Sequence, residues 1–439
     1  MCKKIVVVGG GAGGLELVIK LARRFKKNDD IEVTLIDCNP THIWKPLLHE
    51  IATGSLNSNH DETSYLMLAR KYRFAFVLGR VDRIDSDTGC VHIQPTTDDK
   101  GIEIVAARNV DYYRLVLSVG SLCNDFGTPG VEKHCLLLDT RAQAERFHQQ
   151  FLNQLHKIHA NSDDTRRLSL VIVGAGATGV ELAADLHNVA KRLPEYGFNA
   201  FSSDRLRVMI VEAAPLILAQ LPERVSNSVT RELQKIGVEI RTDTMVSAIE
   251  SDAVLTKSGD KISADLVVWA AGIKAPEFIA QSVLPTDHIG RVRVDTHLQV
   301  EGSDAIFAIG DCCACPLIDA KDSGGKEEGK VVPPRAQSAH QMAAVAYKNI
   351  VADLAGKPMK SFRYRDFGSL ISLSEFSTVG NLMGNLMRGS VFIEGWLARM
   401  FYLSLYRMHQ SAVHGFGAML LIMLGDSIYK ATRADIKLH

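Results

Sequence analysis

A strand, a glycine turn, a helix, a second strand and a closing acid occur twice in this chain, and few folds accommodate that grammar. Lys4 to Val8 reads as a buried parallel strand. Gly9-Gly10-Gly11-Ala12-Gly13-Gly14 follows it, and then Leu15, Leu17, Val18, Leu21 and Ala22 recur at helical spacing. The next apolar run, Val33 to Ile36, ends in Asp37. Gly9, Gly11 and Gly14 thus occupy the G-x-G-x-x-G positions of a dinucleotide-binding βαβ unit. The pattern returns with Leu168 to Val173 as strand, Gly174, Gly176 and Gly179 in the turn, and Val180 to Val189 as helix. Leu206 to Val211 then ends in Glu212, after a longer connection from Arg192 to Arg205. One such match often serves packing alone; two, each between strand and helix and each followed by a strand-terminal acid, predict two bound dinucleotides.

A third element completes the pattern. Asp304 to Ile309 is a short apolar strand running into Gly310-Asp311. With it the chain resembles the two-dinucleotide-binding flavoproteins, in which such a strand returns to the first domain and its terminal Asp hydrogen-bonds the flavin's ribityl or pyrophosphate region. The resemblance implies an α/β fold of two Rossmann-like domains. The first, FAD-binding domain is split, 1–120 plus 295–345; the NADH-binding domain, 121–294, is inserted; 346–439 forms an added membrane-associating region. Leu115 to Ser121 and Val267 to Gly272 look like that superfamily's crossover strands.

A pyrophosphate is held by backbone N–H groups at a helix N-terminus, where the dipole is positive. Glycine lets it approach, because a Cβ would collide with the phosphate. The acid after the second strand accepts hydrogen bonds from the ribose hydroxyls and repels a 2′-phosphate. Asp37 therefore suits FAD. Glu212, followed by Ala213-Ala214-Pro215 with no adjacent Arg, favours NADH over NADPH. Glu181, two residues beyond Gly179, has two readings that stay open: an exposed acid stabilised by the helix dipole, or, by resemblance to pyridine-nucleotide flavoproteins, a residue facing the nicotinamide.

Composition excludes several classes. The 439 residues predict two to three domains at about 150 residues each. Lys+Arg and Asp+Glu both number 50, which argues against a nucleic-acid coat. The eight Cys show no zinc or disulfide-framework spacing, so a reducing compartment is expected. Lys3 and Lys4 lead directly into a strand, unlike a secretory signal. Ser411 to Gly425, broken by His414 and three glycines, is shorter than the roughly 18 apolar residues of a membrane span.

Two-electron flavoproteins differ mainly in where the electrons leave. Disulfide reductases need a Cys pair beside the flavin or a C-x-x-C in the second domain. Cys38 stands alone, and the C-x-x-C spacing of Cys312 and Cys315 falls outside 121–294. Sulfide:quinone reductases also rely on cysteines near the flavin and generally lack so complete a second fingerprint. Cys312, Cys313 and Cys315 fit no iron–sulfur spacing and read as small buried residues near a cofactor, so no metal is expected. Val332 to Gln341 is more informative: two prolines lead into a helix, and Gln337 and Gln341 share one face. Amides there can donate to a quinone carbonyl without adding charge.

Ala336-Gln337-x-Ala339-x-Gln341 after the Gly-Asp turn resembles a hallmark of the type II NADH dehydrogenases, the single-subunit, non-proton-pumping NADH:quinone oxidoreductases. Lys45 to Gly54 is similar to another signature of that family near the flavin, with His49 where Tyr is more usual. Ser404 to Gln410 and the closing Ile436-Lys437-Leu438-His439 resemble the enterobacterial-type branch. The resemblance implies non-covalent FAD, NADH as donor, a membrane quinone as acceptor, and Glu181, Gln337 and Gln341 as catalytic residues, with Gly272, Gly310, Asp311 and Ala336 lining the cofactors. It also implies a peripheral respiratory enzyme on the cytoplasmic face of a bacterial inner membrane.

The tail fits that reading. Leu397, Met400, Phe401, Leu405 and Met408 form one helical stripe, with Arg399, Tyr402, Tyr406, Arg407 and Gln410 off it. Val413 to Leu424 is almost wholly apolar. Residues 396–439 carry five basic residues against two acids, a net of +3. A cationic, apolar, aromatic tail on a neutral protein suits an interfacial anchor on anionic lipid; the alternative is packing, in the core or within a homodimer. Two competing functions stay open: a soluble reductase of a small redox protein, and a non-catalytic NAD(H)-sensing flavoprotein.

Overall fold

The computed structural model describes the chain apart from Met1, residues 57–61, Asp99, 161–165, 199–200, Ser202, 319–329, 374–376, 384–389, Gly395, 433–435 and 438–439. It describes only the backbone at Ser203, Ser369, 377–383, 390–394, 396–403, Leu405 and 429–432. Seven helices matter for function: α1 (Ala12–Phe25), α2 (Leu48–Thr53), α3 (Arg141–Ala160), α4 (Ala177–Arg192), α5 (Ala336–Leu354), α6 (Trp396–His414) and α7 (Phe416–Thr432).

The chain divides into two compact units. The first comprises Met1–Trp44, Glu62–Leu122 and Ile273–Arg365; the second comprises Lys45–Asp61, Cys123–Gly272 and Asp366–His439. This differs from the expected boundaries. The chain re-enters the first unit at Ile273 rather than at 295, and 346–439 is no separate region, since 366–439 joins the second unit. Short α2 also belongs there, because its apolar side is covered by α3 and α4.

Each unit is built on a five-stranded parallel sheet. In the first the order is Ile306–Ala308, Arg114–Leu117, Lys3–Val8, Ile31–Asp37, Ala75–Leu78. In the second it is Cys135–Leu136, Leu266–Trp269, Leu168–Val173, Leu206–Val211, Glu239–Arg241. Helical crossovers cover both faces of such sheets, so their strands are apolar throughout rather than alternating. Ile5 to Val8 and Leu170 to Val173 are accordingly buried. The strand-terminal acids Asp37 and Glu212 stand beside the first strand's end in each sheet, within reach of the glycine turn.

After Asp366 the chain forms a three-stranded antiparallel sheet, Ser369–Leu373, Ser377–Met383 and Ser390–Glu394, and then α6 and α7. Gly415 joins these helices at φ +93°, a left-handed position that favours glycine. Arg407 Nη1 bonds Asp426 Oδ2 at 2.8 Å across the hairpin. Met408 is half exposed while His409 and Gln410 are buried, so at this level the expected stripe faces outward and the off-stripe Gln410 inward. Leu397, Met400, Phe401 and Leu405, the rest of that stripe, lie outside the described side chains. On α7, Phe416, Leu420, Leu421, Leu424 and Ile428 are all exposed. No helix among the described residues is long and apolar enough to cross a membrane.

Candidate active site

In the first unit the glycine turn is shaped by contacts that leave no room for side chains. A Cβ on Gly14 would collide with the Gly9 carbonyl oxygen, and one on Gly9 with that of Ser118. Gly9 also holds φ +97°. Gly11 is different: a Cβ there would meet nothing within 4 Å. It caps α1 without any side-chain hydrogen bond, so the first N–H groups of the helix open onto free space. Asp37 Oδ2 accepts the Gly10 N–H at 2.6 Å and its Oδ1 the Asn39 N–H at 2.8 Å. The Tyr65 hydroxyl donates to the Gly10 carbonyl at 2.8 Å, and His42 Nδ1 lies 2.9 Å from the same oxygen. Burial pushes the Asp37 carboxyl above its ordinary value, opposed by those N–H donors.

The second unit repeats the device. A Cβ on Gly179 would strike the Gly174 carbonyl oxygen, whereas Gly176 faces open space and caps α4 without a side-chain bond. Glu212 Oε2 accepts the Ala175 N–H at 2.7 Å and Oε1 the Ala214 N–H at 2.9 Å. Each cradle therefore has one glycine whose missing Cβ is needed by a visitor rather than by the chain. A diphosphate on an uncapped helix N-terminus fits both. Asp37 and Glu212, each bonded to the N–H of its glycine turn, stand where the sequence expects ribose partners of FAD and NADH.

The remaining predicted residues divide between the two units. Asp311 Oδ2 accepts the Ser121 hydroxyl at 3.2 Å in the first, and Gly310 holds φ +77° with its N–H on Met342 Sδ at 3.2 Å. Gly272, in the second, holds φ +62° against the Phe126 ring. Helix α5 begins at Ala336 after an extended Arg335, so Pro333 and Pro334 precede the helix instead of occupying its first turn. Each Pro biases the residue before it, Val332 and Pro333, toward the extended backbone that leads into the helix. Gln337 and Gln341 are partly exposed, but Gln341 is not a loose amide: its Nε2 donates to the Arg365 carbonyl at 2.8 Å and its Oε1 accepts the Arg365 N–H at 3.0 Å.

Cys312 donates to the Ile309 and Leu117 carbonyls at 3.4 and 3.6 Å, and Cys313 to Gly310 at 3.2 Å. Burial pushes the Cys312 and Cys315 thiols up to about 12.

Glu181 corrects one expectation. It is not an exposed first-turn acid but is 6 % exposed, because α4 is enclosed from Gly179 to Ala190. Its Oε1 accepts the Ser372 N–H at 3.1 Å. Burial first, and then the charges of Asp185 and Glu50, push its pKa well above the ordinary carboxyl value against the Ser372 N–H, which favours the protonated form. His49 stands beside it, its pKa lowered by burial to about 4. Two interactions escaped the sequence reading. Gly13 lies so close to α5 that a Cβ would sit 2.9 Å from the Ala339 carbonyl, which explains the small residue at that motif position. Glu16, almost wholly buried, pairs with Lys20 and with His340 of α5; an acid inside an apolar helix stripe was the available signal.

The comparisons agree with this geometry. The pyridine nucleotide-disulphide oxidoreductase family model matches residues 3–343. The type II NADH:quinone oxidoreductase of Haemophilus influenzae is 40 % identical over 452 residues, covering 100 % of both chains. That of Mycobacterium tuberculosis is 28 % identical over 97 % of this chain and 87 % of its own. In fold, the NDH2 of Plasmodium falciparum solved with NADH superposes with a TM-score of 0.80 at 18 % identity, covering 100 % of each chain. Twin cradles, strand-terminal acids and full-length similarity converge: the chain belongs to the type II NADH:quinone oxidoreductases, within the pyridine nucleotide-disulphide oxidoreductase family.

Proposed function

We propose that this protein oxidises NADH and reduces a membrane quinone by two electrons, without pumping protons, from a peripheral position on the cytoplasmic face of a bacterial inner membrane. The observation that carries the reading is the pair of open glycines, Gly11 and Gly176, each on an uncapped helix N-terminus with a strand-terminal acid bonded to the turn beside it. Bound FAD supplies the electron chemistry, taking a hydride from NADH and passing two electrons to the quinone. The chain supplies the rest. Gly9, Gly11, Gly14, Asp37, Gly310, Asp311 and Ala336 hold FAD; Gly174, Gly176, Gly179, Glu212 and Gly272 hold NADH. Gln337 and Gln341 are the amides assigned to the quinone side. The Arg365 clasp holds the Gln341 carboxamide in one orientation, with one N–H left over to donate. Glu181 is the acid on the nicotinamide side.

Lipid attachment is assigned to α6 and α7. Phe416, Leu420, Leu421, Leu424 and Ile428 present an apolar surface on α7, and the tail's net charge of +3 suits anionic headgroups. A quinone confined to the bilayer gives such an anchor its purpose. Stopped-flow absorbance tests the whole reading: NADH bleaches the flavin, and quinone in liposomes restores its colour. Bleaching without a quinone response leaves a soluble reductase; no bleaching leaves a sensor.

A further inference from the structure

Within the second unit, α4 carries two acids one helical turn apart, Glu181 and Asp185, and α2 sets His49 against both. His49 Nδ1 lies 3.8 Å from Glu181 Oε2, and Nε2 lies 3.6 Å from Asp185 Oδ2. The three side chains are 3 to 6 % exposed. A neutral imidazole has one protonated and one bare nitrogen, and here its two nitrogens face different carboxyl groups, while the ring also hydrogen-bonds the Pro46 backbone. Both separations exceed hydrogen-bond length by under about 1 Å, so side-chain motion alone closes them.

We propose that His49 relays a proton from Asp185 to Glu181, making His49 and Asp185 positioning residues that act through Glu181. The inference rests on the functional reading above. The overall reaction, NADH + H⁺ + quinone → NAD⁺ + quinol, draws one proton from water per turnover. Glu181 releases its proton, which the reduction of quinone to quinol consumes. A proton taken up from water by Asp185 then passes to Nε2, and the Nδ1 proton passes to the vacated Glu181 carboxylate. The ring resets by tautomer exchange. Each proton that leaves Glu181 is replaced by one entering at Asp185, so the cluster gains no further charge over a turnover, which matters because burying an unpaired ion is costly.

The surroundings favour this route. Burial disfavours the charged form of His49 and raises the Glu181 pKa, so both favour their neutral forms beside the Asp185 carboxylate. Glu50 of α2 adds its charge against a second carboxylate at Glu181. From Ser369–Leu373, the Ser372 N–H orients Glu181. From α3, His148 Nδ1 lies 3.2 Å from the Ala52 carbonyl at the end of α2, and nearby Lys45 pairs with Asp139 at 3.6 Å. A relay through the ring predicts dependence on its nitrogens rather than on its bulk.

The experiment uses the full-chain holoenzyme in liposomes, comparing His49→Phe, His49→Gln, Asp185→Asn and Asp185→Glu. Flavin content and thermal melting confirm that each variant is folded. His49→Phe, His49→Gln and Asp185→Asn are expected to lower kcat about tenfold to a hundredfold, with a larger D₂O effect and little change in the Kd for NADH. Asp185→Glu is expected to restore most of the rate. Without NADH, infrared difference spectra in H₂O and D₂O are expected to show a protonated carboxyl band that Glu181→Gln removes and His49→Phe shifts. An unchanged kcat and D₂O effect in a folded His49→Phe protein overturns the relay, as does a loss confined to NADH affinity. Failure of NADH to bleach the wild-type flavin would instead overturn the functional reading.

Discussion

Glu16 in α1 meets His340 in α5 at 2.5 Å, Oε2 to Nδ1, and so ties the helix that begins at the FAD cradle to the helix that carries Gln337 and Gln341. The carboxyl is 1 % exposed. Burial alone would raise its pKa, but the His340 hydrogen bond and charge, together with Lys20, outweigh burial and hold it below the ordinary 4.5. A carboxyl depressed in the folded state contributes stability above its unfolded pKa and loses it as pH falls through the folded value. Melting curves should therefore show stability dropping as pH falls below about 4.5, and a shallower drop in Glu16→Gln. At pH 7 that variant should cost about 1–3 kcal/mol, because Lys20 and His340 are each about a third exposed and regain water. An acid profile identical to wild type would remove the pair from the stability account.

How much of this was legible in the sequence depends on the distance over which each constraint acts. Gly9, Gly14, Gly174 and Gly179 answer to carbonyls within a few residues of themselves or across adjacent strands, so their spacing survives as a readable motif. Asp37 and Glu212 are legible for the same reason, since parallel pairing places the second strand's end beside the first turn. His49 and Glu181 are 132 positions apart in number, and nothing local announces that they meet. Glu16 and His340 are farther apart still. The two-unit division departs from the expected boundaries for a similar reason: α2 has too few residues to bury itself and goes where α3 and α4 leave an apolar surface.

The two kinds of glycine in each cradle predict two kinds of failure. Gly14→Ala places a methyl against the Gly9 carbonyl, so the turn itself must shift and the protein should lose both flavin and thermal stability. Gly11→Ala adds a methyl to open space, at a backbone conformation any residue adopts (φ −65°). It should fold normally yet purify with little FAD, because the methyl occupies the diphosphate's approach. Flavin content by absorbance and melting of the apo-protein distinguish the two variants. Equal flavin loading in Gly11→Ala and wild type would show that the diphosphate does not sit there.

Glu212 has a double duty that sharpens its substitution. It is assigned to the ribose of NADH, and it already accepts the Ala175 and Ala214 N–H groups. Glu212→Ala should raise KM for NADH about tenfold or more, since charge-assisted bonds of this type each contribute about 1.5–3 kcal/mol. The KM for NADPH should rise less, because the 2′-phosphate is no longer repelled. Steady-state kinetics with both donors give the ratio, and an unchanged NADH/NADPH preference would reassign the acid to bracing the turn alone.

The tail makes a prediction that separates attachment from chemistry. Leu421, Leu424 and Ile428 are 72, 59 and 62 % exposed on α7, while Arg407 and Asp426 hold the hairpin together at 2.8 Å. Charging the exposed apolar side leaves that ion pair and the cradles intact. Leu421→Asp with Ile428→Asp should therefore release the protein from anionic liposomes in a flotation assay while NADH still bleaches the flavin and a water-soluble quinone still reoxidises it. Each buried apolar side chain contributes about 1.5–3 kcal/mol, so two charged replacements should lower partitioning by at least about a hundredfold. Removing the whole tail is a blunter test, because Lys437 donates its backbone N–H to the Gly54 carbonyl at 2.8 Å, directly after the helix that carries His49. Truncation then disturbs α2 as well as lipid binding, whereas the double substitution changes only the surface. Flotation of the double variant equal to wild type would assign the exposed side of α7 to protein packing instead of lipid.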